Sequence, residues 1–278
     1  MAALRLVGHE LVEESTVAEN EAIRPDASAV PPEDKRPFVQ RLFTRIAPRY
    51  DRFNRLASCG LDQHWRKVAI SRGRIQPGQR VLDVCSGTGD LAILCARRRR
   101  GPRPASSCHR GGQGVVVGAD LNVAMLSHGR RKQRSADVDI DLIQSDAEAL
   151  PFAGETFDRV LIGFSTRNLA HLDRGLREML RVLRPHGQLI MLETGYPANP
   201  LVRFGYRLFL LTGARAIGFL LTGRLWPFTY LAKSVQRFLT PAELVERLQR
   251  LGTAVEYVPL SGGLASLYLA TKYGADHP

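Results

Sequence analysis

The chain has few cysteines, and none of them is spaced like a metal ligand or a disulfide framework. Its 278 residues include four cysteines, no two of which form a Cys-x-x-Cys pair, and seven scattered histidines. The sequence therefore predicts neither a metal site nor a disulfide-stapled fold. It favours a reducing compartment, the cytoplasm.

Acidic residues are missing from Thr194 to Ala242, although this segment carries six basic residues among apolar runs. Each run is shorter than the roughly 20 apolar residues of a spanning helix. Basic residues between Leu, Phe and Trp are typical of a helix lying on an anionic membrane surface. A helical cap whose apolar face covers the sheet explains the same pattern. Residues 195–240 are thus predicted as a basic apolar helical segment with either role. The basic residues are Arg203, Arg207, Arg215, Arg224, Lys233 and Arg237.

The N-terminal segment lacks the apolar stretch of a secretory signal. Its first 34 residues carry eight Asp or Glu against two Arg, a net charge of −6, whereas the whole chain carries +12. This composition predicts a disordered acidic tail over residues 1–36. The basic remainder indicates a polyanionic partner, such as nucleic acid, anionic lipid or a phosphorylated substrate, or an arginine-rich proteome.

Apolar strands and amphipathic helices alternate from residue 80 onward. Runs such as "RVLDVCS", "GVVVGAD" and "FDRVLIGF" predict strands, and "DLAILCARR" and "LDRGLREMLRVLR" predict helices. Strands separated by helices and apolar on both faces are typical of a doubly wound α/β sheet. The single domain is predicted over residues 37–278, with a helical cap over 37–74 and a mobile insertion over 97–114 that is rich in Arg, Gly, Pro and Ser.

A glycine-rich turn follows the first strand in "VLDVCSGTGDLA", residues 81–92. Gly87, Gly89 and Ala92 match the G-x-G-x-x-A pattern of dinucleotide sites, a weak signal that fits both NAD and S-adenosylmethionine. Asp83 and Asp90 flank the turn at a helix N-terminus. Carboxylates there oppose a pyrophosphate and favour a cationic ligand, so the pattern predicts S-adenosylmethionine.

Two further acidic residues follow later strands. Asp120 ends the second strand, where it would accept from ribose hydroxyls, and Asp146 follows the third strand, where it would accept from the adenine amino group. Ala147 and Leu150 would pack on the ring.

Several motifs together resemble a known enzyme family. "GADLN", "SDAEALPF" and "LRVLRPHGQLIMLE" are similar to class I methyltransferases. "FTRIAPRYDRFN", "HWRK", "STRNLAHLDRGLREMLRVLRP" and "YLAKSVQRFLTPAEL" more narrowly resemble the membrane-quinone C-methyltransferases, which act on demethylmenaquinone or 2-polyprenyl-6-methoxy-benzoquinol. The resemblance covers residues 37–272.

The resemblance implies a Rossmann-like, seven-stranded sheet whose last strand is antiparallel. It implies S-adenosylmethionine contacts at Thr88, Asp120, Asp146 and Ala147, and at Gly163, where the family has a serine. The acceptor would be a prenylated quinol of menaquinone or ubiquinone biosynthesis. The enzyme would lie at the cytoplasmic face of the membrane, and a homodimer is compatible with the sequence.

Polar residues at the end of the fourth strand are the candidates for acceptor chemistry. Arg167 would hold a phenolate or orient a water, because arginine itself has a pKa above about 12. Asn168 would bind the second ring oxygen. Tyr50 would stack on or hydrogen-bond the ring, and Asp51 would be a general base or the ion-pair partner of an arginine. An ordinary ion pair of Arg167, for instance with Asp173, is the alternative.

Other functions remain as alternatives with less support. A methyltransferase acting on RNA or on another small aromatic acceptor would fit the basic charge, but the chain lacks the Asn/Asp-Pro-Pro-aromatic motif of enzymes that methylate base amino groups. An NAD-dependent oxidoreductase is disfavoured by the acidic turn, and no Tyr-x-x-x-Lys pair stands at a suitable position. The prediction includes no nucleic-acid partner.

Overall fold

The computed structural model describes residues 30–99 and 114–274. The tail over residues 1–29 and most of the 97–114 insertion lie outside these described residues. Helix α1 begins at Pro32, so the tail boundary expected at residue 36 falls inside a helix. Pro31 and Pro32 stand at its start, where a proline ring costs no hydrogen bond.

Seven strands of the described chain form one sheet, in the order β3-β2-β1-β4-β5-β7-β6. Strands β1 to β5 are parallel, and β7 runs antiparallel between β5 and β6. This confirms the predicted seven-stranded sheet with an antiparallel last strand. The strands are β1 Val81–Val84, β2 Val116–Asp120, β3 Asp141–Gln144, β4 Phe157–Gly163, β5 Leu183–Thr194, β6 Thr253–Leu260 and β7 Ala265–Lys272.

Helices cover both faces of the sheet, which explains why most residues of its central strands are apolar. The described helices are α1 Pro32–Ile46, α2 Tyr50–Ala57, α3 Leu61–Arg72, α4 Asp90–Arg99, α5 Val123–Ser135, α6 Leu172–Val182, α7 Pro200–Leu211, α8 Gly213–Thr222, α9 Trp226–Arg237 and α10 Pro241–Arg250. One core joins α6 and α10 to the sheet, and the other joins α3 and α4 to its opposite face. All four residues of β1 are buried as a result.

A third apolar core lies above the sheet edge and joins the two helical segments predicted from sequence. Phe38, Leu42 and Phe53 of α1 and α2 pack against Phe228 and Tyr230 of α9. The basic segment therefore packs on the N-terminal helices. The cap expected from the sequence would instead have covered the sheet itself.

The outer face of the basic segment is exposed. Leu201, Phe204, Leu208 and Leu220 are 78%, 66%, 51% and 83% exposed. Helices α7 and α8 follow each other with a break only at Thr212, so residues Pro200–Thr222 form a 23-residue helical stretch in which an 18-residue window reaches a mean hydropathy of 1.3. By length and composition this stretch is long enough to span a membrane, and the expectation that every run is too short is therefore wrong. Core helices of soluble proteins meet the same criterion.

Candidate functional site

A first cavity of about 1000 Å³ lies at the carboxyl ends of the parallel strands. Helices α1 and α2 form its roof, as open α/β sheets predict for a ligand site at this edge. Nine of the predicted site residues line it, whereas Gly89, Asp51 and Arg167 do not. The nine are Tyr50, Asp83, Gly87, Thr88, Asp120, Asp146, Ala147, Gly163 and Asn168.

The glycine-rich turn bends sharply between β1 and α4. Gly87 and Gly89 have φ values of 57° and 80°, a left-handed conformation that a side chain disfavours. The turn is held to the neighbouring strand, because the backbone N–H of Gly87 donates to Asp120 Oδ2 at 2.8 Å. Asp120 Oδ1 accepts from the N–H of Asn122 at 2.8 Å, so the carboxylate is fixed in orientation. Burial raises its pKa against these two bonds.

Asp83 at the end of β1 is a buried carboxylate that is only half satisfied. Its Oδ2 accepts from the N–H of Ala92 at 3.0 Å, and its Oδ1 has no partner among the described residues. Burial raises the pKa of Asp83 to about 8. An unpaired buried carboxylate beside a cavity suits a cationic ligand.

Asp146 follows β3 and forms the opposite end of the cavity, with β2 between it and β1. Its Oδ1 accepts from the N–H of Glu148 at 2.9 Å, and its Oδ2 pairs with Arg36 of α1 at 2.8 Å. Helix α1 is also tied down by Asn122, whose amide donates to the Gln40 carbonyl at 2.9 Å. The cap thus closes directly over the residue expected to contact adenine.

Thr88 and Asp51 contact each other, which the sequence did not predict. The Thr88 hydroxyl donates to Asp51 Oδ1 at 2.6 Å, and Lys132 of α5 lies 2.6 Å from both Asp51 and Asp90. Although burial opposes it, Lys132 and Arg66 hold the pKa of Asp90 below its usual value. The ion-pair partner of Asp51 is therefore a lysine, and this carboxylate connects the cap to the glycine-rich turn.

Gly163, where the family has a serine, is tightly packed in this chain. A Cβ at this position would lie 2.8 Å from Leu91 Cδ1. Ser165 lines the same cavity and donates its hydroxyl to the Gly163 carbonyl at 3.0 Å. A hydroxyl is therefore present two residues further along, as the sequence indicated.

A second cavity of about 830 Å³ adjoins the first, between α2, α3 and helices α7 to α9. Its wall is largely apolar, and Tyr50 and Arg66 line both cavities. Burial raises the pKa of the Tyr50 phenol and raises that of Tyr206 to about 12, so both stay protonated near neutral pH. The apolar side chains on this wall are Phe53, Trp65, Phe164, Phe209, Leu210, Phe228, Leu231 and Val235.

Arg167 projects into the second cavity from the turn after β4. Its Nη1 donates to the Phe164 carbonyl at 2.5 Å and pairs with Glu193 Oε2 at 3.2 Å, while its Nε has no partner among the described residues. The pairing with Asp173 offered as an alternative is wrong, since Asp173 pairs with Arg247 at 2.6 Å.

Asn168 follows Arg167 and presents a free donor. Its Oδ1 accepts from the Tyr230 hydroxyl at 3.2 Å, and its buried Nδ2 has no partner among the described residues. Two buried N–H donors, from adjacent residues, are thus left for a ligand.

Sequence reasoning missed Arg66, Lys132, Glu193, Tyr206 and Tyr230. Arg66, Glu193 and Tyr230 lie inside motifs quoted above, but the motifs did not assign them a role, and Lys132 and Tyr206 lie outside those motifs. Glu193 had one available signal, since a carboxylate near the end of an otherwise apolar buried strand requires a cationic or donor partner. Among the described residues, no group of three or more His, Cys, Asp or Glu side chains is placed to hold a metal ion.

Comparison with known proteins identifies the family. The ubiE/COQ5 methyltransferase family model matches residues 30–272. A demethylmenaquinone methyltransferase from Thermus thermophilus is 36% identical over 233 residues, 83% of this chain and 100% of the relative. The enzyme of the same name from Deinococcus radiodurans is 36% identical and covers 86% and 95%. A ubiquinone/menaquinone biosynthesis C-methyltransferase UbiE from Hahella chejuensis is 33% identical and covers 87% and 94%.

Solved structures support the fold. A methyltransferase dependent on S-adenosylmethionine from Aquifex aeolicus has a TM-score of 0.56 at 15% identity, with 80% of this chain and 97% of that one covered. Another from Thermotoga maritima has a TM-score of 0.57 at 18% identity, with 84% and 98% covered. The residues around the first cavity fit the cofactor, since the unpaired Asp83 oxygen and the acidic turn favour a cation. The chain therefore belongs to the ubiE/COQ5 methyltransferase family, and it is an S-adenosylmethionine-dependent C-methyltransferase.

Proposed function

We propose that this enzyme methylates a ring carbon of a prenylated quinol, as in the conversion of demethylmenaquinol to menaquinol or the corresponding step on a benzoquinol. The observation that carries the proposal is the second cavity, which is apolar, adjoins the first and shares Tyr50 and Arg66 with it. A ring with a long apolar tail matches such a wall. The names of the relatives support the same acceptor class.

The first cavity would hold S-adenosylmethionine through Asp83, the Gly87–Thr88 turn, Asp120 and Asp146. Gly89 shapes this turn and lines neither cavity. When bound, the cofactor supplies an electrophilic methyl group on its sulfonium. Because Gly163 has no side chain, Leu91 packs directly against it in the wall of this cavity. Ala147 would pack on the adenine ring.

Arg167 and Asn168 would bind the oxygens of the quinol. Loss of a proton from a ring hydroxyl makes a phenolate, which pushes charge onto the adjacent ring carbon. Arg167 Nε and Asn168 Nδ2 are buried donors without partners among the described residues, so they are suited to hold that oxygen charge. Preformed donors of this kind also orient the ring, and orientation can contribute about 7–11 kcal/mol to a bimolecular reaction.

Tyr50 would orient the ring from the wall between the cavities. Its raised pKa makes it a hydrogen-bond donor near neutral pH rather than a base. Asp51 is a poorer candidate for the base, because its carboxylate accepts from Thr88 and Lys132 and lines neither cavity. A water oriented by Arg167 is the proton acceptor that this arrangement supports.

The exposed face of α7 and α8 would place the enzyme on an anionic membrane surface at its cytoplasmic side. Exposed Leu and Phe side chains lie there beside the exposed Arg207, with Arg203 and Arg215 half-buried, in a stretch without acidic residues. The opposite face of α7 contributes Tyr206, Phe209 and Leu210 to the second cavity. A lipid-borne tail would therefore reach the cavity without crossing water. The apolar wall of this cavity gives no support for a nucleic-acid acceptor.

The test is methylation by the purified full chain. Reduced demethylmenaquinone or the matching demethyl-benzoquinol in anionic vesicles is incubated with S-adenosylmethionine and analysed by mass spectrometry. We expect a product heavier by one methylene and dependent on Arg167. Binding of S-adenosylhomocysteine without a product from either quinol would overturn the proposed acceptor.

A further inference from the structure

The first cavity carries two cationic side chains, and they lie at different ends of it. Arg36 pairs with Asp146 beyond β3, whereas Arg66 of α3 lies beside the turn after β1. Strand β2 separates β1 from β3, and neighbouring strands are spaced about 4.8 Å apart. The two arginines therefore face different parts of any ligand in this cavity.

Arg66 is held rigidly but is only partly used. Its side chain is 7% exposed, and its guanidinium lies 5.1 Å from the centre of the Phe164 ring. Both of its hydrogen bonds to described residues leave from Nη1, to the carboxylate of Asp62 at 2.7 Å and to the carbonyl of Asp62 at 3.0 Å. Its Nε makes a long ion pair with Asp90 at 3.8 Å, and its Nη2 makes no hydrogen bond to a described residue. Nη2 is thus available to an anion.

Asp83 lies at the same end of the cavity and has an acceptor oxygen without a partner in the described part of the chain, where Arg66 has a donor without one. It is 1% exposed, and its Oδ1 has no partner among the described residues although the residue lines the cavity. Arg66 is close enough to act on the Asp83 carboxylate electrostatically, yet no ion pair joins them. An unpaired carboxylate and a partly used guanidinium therefore stand side by side.

An α-amino acid carries the matching pair of charges, an ammonium and a carboxylate on one carbon. S-adenosylmethionine ends in such a group. We propose that Arg66 binds the α-carboxylate of the cofactor, opposite Asp83, which binds the α-ammonium. Arg66 is then a cofactor-binding residue outside the glycine-rich turn, and it orients the donor from the wall shared with the second cavity. This inference depends on the cofactor and is independent of the proposed quinol. Either proposal can therefore fail while the other stands.

The test compares two ligands that differ only in the carboxylate. Calorimetry measures the Kd of S-adenosylhomocysteine and of its decarboxylated form for the full chain. A charge-assisted hydrogen bond contributes about 1.5–3 kcal/mol, so the wild type should prefer S-adenosylhomocysteine roughly 10- to 100-fold. In Arg66→Met the preference should fall to near unity. Arg36→Met, which removes the other cation of the cavity, should shift both affinities together and keep the preference.

Removal of Arg66 takes away the buried cationic partner of Asp62 and leaves only the largely exposed Arg55 at 3.6 Å, so folding needs its own control. The variant Arg66→Met with Asp62→Asn removes both charges and should show the same loss of preference. A wild type that binds the two ligands equally would overturn the proposal without any variant. An unchanged preference in both Arg66 variants would show that Arg66 only connects α3 to the turn.

Discussion

Arg167 and Glu193 form a buried ion pair at the second cavity, with Nη1 of the arginine 3.2 Å from Oε2 of the glutamate. Glu193 also accepts from the backbone N–H of Thr166 at 2.9 Å, so the carboxylate has a fixed position. The glutamate therefore fixes the position of the guanidinium through Nη1, and the buried Nε has no partner among the described residues. Any substitution of Arg167 removes a donor and also leaves a buried carboxylate unpaired.

Arg167→Gln should lower kcat by about 100-fold or more, because the developing phenolate loses its cation. The Kd of S-adenosylhomocysteine should stay nearly constant, since Arg167 does not line the first cavity. The free energy of unfolding should fall by about 3–5 kcal/mol, because Glu193 is left buried and unpaired. Adding Glu193→Gln should restore most of the stability but not the turnover. Near-normal turnover in either variant would remove Arg167 from the mechanism.

Cofactor binding should release a proton near neutral pH. The free protein has Asp83 with a pKa raised to about 8, whereas an ammonium on Oδ1 requires the ionised form. Calorimetric titrations with S-adenosylhomocysteine in buffers of different ionisation enthalpy measure the release. It should be nearly one proton below the raised pKa and decline as the pH rises through about 8. In Asp83→Asn the release should vanish, and persistent release there would assign the proton to another group.

The raised pKa of Asp83 also predicts how the stability of the ligand-free protein depends on pH. The folded pKa of Asp83 lies above its ordinary value of 3.8, so the native state holds a proton that the unfolded state has lost. The contribution of this group to the free energy of unfolding is therefore complete below 3.8 and is lost as the pH rises through about 8. Denaturant titrations should show a flatter pH profile for Asp83→Asn than for the wild type. Parallel profiles would contradict the assignment.

Asp51→Asn should retain turnover within about tenfold of the wild type. A general base contributes about 100- to 10 000-fold, whereas Asp51 is directed towards Thr88 and Lys132. The affinity for S-adenosylhomocysteine should weaken instead, because the tie between α2 and the glycine-rich turn is lost. Steady-state kinetics at saturating cofactor measure the first effect. A loss of kcat beyond 100-fold, with normal cofactor binding, would restore the general-base interpretation.

Leu220→Glu and Phe204→Glu should weaken sedimentation with anionic vesicles and leave stability nearly unchanged. Both side chains are largely exposed on the outer face of α7 and α8, so a charge there costs little in the folded chain but repels an anionic surface. Val123→Glu on α5, also an exposed apolar position, is the matched control and should sediment normally. Equal sedimentation of all three variants would exclude this face as the membrane contact.

The local features of this protein are readable from its sequence because they depend on neighbouring residues. The apolar periodicity of the strands, the left-handed turn at Gly87 and Gly89 and the acidic strand ends at Asp83 and Asp120 need no distant partner to be recognised. They sufficed for the α/β class, the methyl-donor cofactor and, with the family motifs, the quinone C-methyltransferase resemblance.

The tertiary structure decided which side chains meet. Glu193 pairs with a residue 26 positions earlier, and Lys132 meets Asp51 across 81 positions. Contacts of this range depend on how helices pack over the sheet edge, which periodicity does not encode. The packing brought Asp51 into contact with Thr88 and Lys132, placed Arg66 on the wall of two cavities and set the basic segment over the cap with its outer face exposed. The sequence determined the chemistry at the strand ends, and the packing determined which of those groups remain unpaired for a ligand.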